Sequence, residues 1–153
     1  MKRAVLLLLL FLSSFYAGCK KQSDTSLNNW PQFRGPAASG LDTRQPTPTD
    51  WDVETGENVL FRTDIPGLAH SAPIIWGDRI YVTTAVGPDE AELKIGIYGA
   101  IAAAEDQGHH EWRLLALNRQ SGEVIFDKQV HEGIPKSLRH TKGTHCNSTP
   151  ATN

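Results

Sequence analysis

Six histidines and two cysteines are the side chains of this 153-residue chain best suited to metal or nucleophilic chemistry. His140, His145 and Cys146 stand together in "RHTKGTHC", and His109 and His110 are adjacent in "QGHHEW". Zinc sites usually pair their ligands at short gaps, so that each pair reaches one tetrahedral ion from a single turn. Neither cluster repeats that pairing, so the sequence assigns no metal ligands and "RHTKGTHC" reads as a surface loop. Asp50, Asp52, Glu54 and Glu57 form an acidic run read as solvated charge, not as paired general acids and bases. No nucleophile elbow, phosphate loop or zincin helix is present, and no catalytic residue is assigned. Asn147-Ser148-Thr149 matches the glycosylation sequon but leads into a predicted strand, and is read as coincidence. Trp30, Phe33, Trp51 and Trp112 are expected to pack in the core. Trp76, at a hairpin tip beside Gly77, is the aromatic best placed to touch a ligand. Arg34, between Phe33 and Gly35, is expected to hold the surrounding arm through bonds to backbone carbonyls.

Charge removes one class of partner. Fifteen Lys and Arg stand against seventeen Asp and Glu, with no basic block, so nucleic acid is not expected. The N-terminus points to a membrane. Lys2 and Arg3 precede an apolar run over residues 4–15 that ends in "YAGC". Too short to span a bilayer and closed by small residues, 1–18 read as an export signal. The residues before Cys19 resemble the lipobox of bacterial lipoproteins. That resemblance implies acylation of Cys19 after cleavage, and several acyl chains anchor a protein stably where one does not. Lys20, where aspartate would imply inner-membrane retention, implies the outer membrane, facing the periplasm. Residues 19–29 then form the lipidated cysteine and a polar tether. With Cys19 acylated, Cys146 has no partner for an intramolecular disulfide.

Whatever positions these side chains must be mostly β. "WPQFRGPAASGLDTRQPTPTDW" has neither helical nor strand period and reads as an extended arm. Residues 58–65 place Val59, Phe61 and Thr63 on one side before Pro66-Gly67, the pattern of a single strand. "SAPIIWGDRIYVTTAV" is a hairpin whose Gly77-Asp78 suits the primed turns that match strand twist. "EWRLLALNRQSGEVIFDKQV" is a second, with Leu115 and Leu117 alternating in, Gly122 in a left-handed turn position, and Val124 and Phe126 alternating out. Between them, 87–110 reads as an insertion with a short helical or hairpin piece, its helical spacing broken by Gly96 and Gly99.

Four short antiparallel strands with glycine-marked turns make one blade of a β-propeller. A second copy is begun: "NSTPATN" aligns with "HSAPIIWGD", Pro150 falling 77 residues after Pro73. Setting the insertion aside leaves about 50 residues, the length of one blade. "WPQFRGP", "ENVLFRTDIPG", "HSAPIIWGDRIYVTT", "LLALNRQSGEVIF" and "HEGIPKSLRHTKGTHCNSTPAT" together resemble the opening of the PQQ-like repeat β-propeller proteins. "ALNRQSGEVIF" is similar to that family's repeat signature, with Asn118 for its aspartate and Phe126 for its tryptophan. The resemblance implies that 30–153 is the N-terminal part of a propeller. Residues 70–131 would be the first blade, 58–65 the strand that closes the ring, and 145–153 the start of the second blade. A ring of six to eight blades takes roughly 250–400 residues, so the chain is expected to be part of a larger ring. The function it implies is a non-catalytic, lipid-anchored scaffold that binds a protein or polysaccharide at the cell envelope, without cofactor. The alternative is a quinoprotein dehydrogenase using PQQ and calcium. Such enzymes carry adjacent cysteines, an aspartate base and calcium ligands, none of which is visible in this sequence.

Overall fold

Two hairpins built on glycine turns join into one antiparallel sheet. The computed structural model describes residues 29–43, 46–88 and 103–153. The export signal, Cys19, most of the tether and the middle of the insertion lie outside the described residues. The described chain is all-β, with strands β1 (Ile74–Trp76), β2 (Arg79–Val86), β3 (His110–Asn118) and β4 (Val124–Gly133). They form a four-stranded open sheet in the order β1-β2-β3-β4.

The turns follow from their residues. Gly77 alone of the β1–β2 pair has positive φ (62°), the pattern of turns that need glycine at the first central position. Asn118 closes the β3–β4 turn: its Oδ1 accepts from Gln120 N at 2.8 Å and Ser121 N at 3.1 Å. A side-chain carbonyl does this as an aspartate carboxylate would. Gly122 takes the left-handed conformation expected of it, with φ 74°.

Register sorts the side chains onto two faces. Ile80, Val82 and Thr84 share one face with Leu117, Leu115 and Arg113; Tyr81, Thr83 and Ala85 share the other with Ala116, Leu114 and Trp112. Leu115, Ala116 and Leu117 are buried although neighbours in a strand point oppositely, so both faces are covered there. Extended segments cover them. On the first face, Thr84 Oγ1 donates to Pro66 O at 2.7 Å and Thr63 Oγ1 to Gly122 O at 2.8 Å. On the second, Trp112 Nε1 donates to His145 O at 2.9 Å and Thr83 Oγ1 to Ser148 O at 3.4 Å.

Residues 58–65 and 145–153, expected as strands of other blades, pair in no ladder among the described residues. Val59, Phe61, Thr63 and Ile65 are half-buried while Leu60, Arg62 and Asp64 are exposed, so the alternation is present without a ladder. The outer edge of β1 is taken by the arm, where Trp30 N and O bond Ile75 O and N at 2.8 and 2.9 Å. Asn29 Oδ1 also accepts from Gly77 N, and Thr152 N donates to Pro31 O at 3.0 Å.

β4 corrects a second expectation. Register shifts between Trp112 and Arg113 and between Ala116 and Leu117 insert one extra residue each into β4. Val124 consequently pairs with Leu117 and Phe126 with Ala116, on opposite faces, because a bulge reverses the alternation beyond it. Phe126 then lies 6.4 Å from Tyr81, centroid to centroid.

Candidate functional site

The described chain has a cavity of about 360 Å³ where the end of β2 meets the start of β3. Four stretches build its wall, one of them Gly67 and Leu68. The end of β2 supplies Ala85 to Pro88, residues 106–110 supply Asp106 and His110, and the loop after β4 supplies Arg139 and His145.

Each side chain is fixed by its local backbone. His110 opens β3 and is 2 % exposed; its Nδ1 lies 2.9 Å from Gly108 O. A carbonyl only accepts, so Nδ1 is the donor of that bond and Nε2 is the ring nitrogen left for another partner. Gly87 makes that placement possible: a Cβ there would sit 2.9 Å from His110 Nε2. Gly67 closes the neighbouring wall, with φ +78° and space for a Cβ only 2.3 Å from Ala85 O. His145 is held through its carbonyl by Trp112, two residues along β3 from His110, so one strand sets both imidazoles. Their rings meet edge to face, with centroids 4.8 Å apart at 79°.

Arg139 pins the carboxylate. Its Nε donates to Asp106 Oδ2 at 2.5 Å and its Nη1 to Gly143 O at 3.0 Å, with both side chains of the ion pair at least nine-tenths buried. Ala104 N bonds Arg139 O at 2.9 Å, so the pair joins the two loops alongside a backbone bond. Asp106 Oδ1 is different. It is buried with no hydrogen-bond partner among the described residues, and His145 Nε2 stands 3.8 Å away. One ligand atom from each of Asp106, His110 and His145 falls within 4.8 Å of the others.

The electrostatics of the cluster favour a charged Asp106 carboxylate and a neutral His145. Burial pushes the Asp106 carboxyl up, but the hydrogen bond and charge of Arg139, aided by His145, outweigh it and hold the group below its usual range. Burial, with His110 and Arg139 nearby, holds His145 below the usual imidazole range against the pull of Asp106. The site therefore sets an anionic carboxylate beside two imidazole rings.

The residues singled out from sequence fall elsewhere, apart from two histidines. Trp76 sits at the β1–β2 tip, 38 % exposed. Arg34 has φ 61° and lies in the arm's turn, where its carbonyl accepts from Gly40 N at 2.8 Å. Among the described residues its guanidinium makes no bond to a backbone carbonyl, so the anchor expected of it is made by its backbone. Trp30 and Trp112 are half-buried, whereas Phe33 and Trp51 are exposed, not in the core, because the arm lies at the sheet's rim. "RHTKGTHC" is divided: His140 is exposed with Nδ1 accepting from Lys142 N, while the Cys146 carbonyl accepts from His70 N and Ser71 N. His109 faces Glu132 at 3.8 Å, away from its neighbour His110. Asp52, in the acidic run, accepts from Glu54 N and Thr55 N, and these backbone bonds hold its carboxyl below the usual range.

Asp106 and Arg139 were not singled out by sequence. The four residues are spread over 106–145 at no motif spacing, and only the pairing of the two loops brings them together. No family model, no curated protein and no solved structure matches this chain.

Proposed function

We propose that this sheet is one blade of a β-propeller in an exported, lipid-anchored envelope protein that acts as a non-catalytic scaffold for a protein partner. The observation that carries the reading is the apolar surface left along the arm. Phe33, Leu41, Trp51 and Val53 are between 59 and 72 % exposed, and Trp76 adds a fifth apolar side chain at the hairpin tip. Scattered apolar residues need no explanation, but exposed aromatics are what partner surfaces concentrate. The mix of aliphatic with aromatic groups favours a protein over a polysaccharide, whose rings stack on aromatic faces alone. The sequential antiparallel order of the four strands and the cover on both faces support the blade.

The experiment uses the full chain in its own membrane. Photo-crosslinking from position 33 or 51 should give one discrete protein adduct. Trp51→Ala should abolish the adduct formed from position 33 while changing stability by no more than about 0.5 kcal/mol. An adduct unaffected by Trp51→Ala, or crosslinking to polysaccharide alone, would refute the protein-scaffold reading. Cys19→Ser should release the chain from the membrane; retention would remove the lipid anchor.

A further inference from the structure

We propose that Asp106, His110 and His145 bind a divalent transition-metal ion of the zinc class, with Arg139 positioning the carboxylate. Asp106 Oδ1 carries the inference. An anionic oxygen buried without a hydrogen bond is costly, and a cation beside it removes that cost. The Asp106–Arg139 pair explains Oδ2 and the guanidinium, but it leaves Oδ1 unexplained.

The donor set fits the ion. Two imidazoles and one carboxylate are a common three-ligand set for zinc, which keeps its fourth position for water or a bound ligand. The bond from His110 Nδ1 to Gly108 O presents Nε2 as the ligating atom, the arrangement in which a carbonyl orients a metal-bound imidazole. Tetrahedral zinc holds its ligand atoms about 3.3 Å apart, against the 4.8 Å limit here, so binding draws the three inward. His145, on a loop, supplies that movement. Arg139 and Asp106 cancel in charge, so the ion brings positive charge into the cavity, and the open fourth position favours hydroxide or another anionic ligand.

The test takes the full, tag-free chain in detergent, strips it with a chelator, reloads it with zinc, dialyses it and counts metal by mass spectrometry. One zinc per chain is expected, and cobalt should give visible bands of a four-coordinate nitrogen–oxygen site. His145→Gln and Asp106→Asn should weaken zinc binding beyond the roughly 10–100-fold that changes behind the ligands cause. His140→Gln, on the exposed loop, should leave it unchanged. Wild-type chain holding no zinc above a blank would overturn the proposal. So would His145→Gln binding as tightly as wild type, or loss of zinc in His140→Gln. If the ligand variants do not fold, the wild-type stoichiometry and cobalt spectrum decide the question alone.

Discussion

Replacing Arg139 by alanine strikes the ion pair that does most to balance the buried Asp106 carboxylate. The pair is 5 and 10 % exposed at its side chains, and the second carboxylate oxygen has no hydrogen bond to fall back on. Breaking a buried ion pair from one side leaves an uncompensated charge, at a cost of about 3–5 kcal/mol. At about 4 °C per kcal/mol for a domain of this size, the melting temperature should fall by about 12–20 °C. The loss should also depend on pH in a definite direction. In the wild type the folded carboxyl is depressed, so its contribution is present above the unfolded value and is lost as pH falls through the folded one. Without Arg139 the remaining dominant influence is burial, which raises the folded carboxyl, so acid relieves the variant by neutralising the group. The gap between the two proteins should therefore be widest at neutral pH and narrow towards pH 4. Thermal melts from pH 4 to 8, with Asp106→Asn added to complete a double-mutant cycle, measure it. A gap that is independent of pH, or no larger than that of Arg113→Ala on the surface, would refute the reasoning.

Two further substitutions test the sheet. Leu115→Ala empties a position that is 1 % exposed at the centre of β3 and should cost about 2–5 kcal/mol in urea unfolding, with the slope unchanged. Asn118→Ala removes the acceptor of two backbone N–H groups in the β3–β4 turn and should cost about 1–2 kcal/mol, whereas Asn118→Asp should stay within about 0.5 kcal/mol. Equal losses for the two Asn118 variants would show that the turn does not depend on that oxygen.

The hairpins were legible because they are local. Gly77-Asp78 and Gly122 are turn chemistry written within two residues of the strands they join, and Leu115 and Leu117 mark the core by their own period. What failed was any inference that needed a partner outside the local window. The alternation of Val59, Phe61 and Thr63 is the same whether a segment pairs in a ladder or lies across a face, since period reports burial and not hydrogen bonding. Val124 and Phe126 looked alike for the same reason, and the bulge that separates them has no signature residue.

The candidate site was hidden for a stronger version of that reason. Spacing rules find metal ligands when one turn or one helix presents several of them, because the backbone then fixes their distance. Here no two of the three donors share an element. His110 opens β3, His145 hangs from Trp112 by a backbone carbonyl, and Asp106 is aimed by an arginine thirty-three residues away. Each placement depends on an interaction that the sequence does not encode as a pattern, and the glycine that admits His110 lies just past the end of β2. The sequence sets His110 beside His109 and His145 beside Cys146. The sheet regroups them, since side chains two apart on β3 share a face and adjacent ones do not: His110 goes with Trp112 and, through it, with His145, while His109 turns out to Glu132.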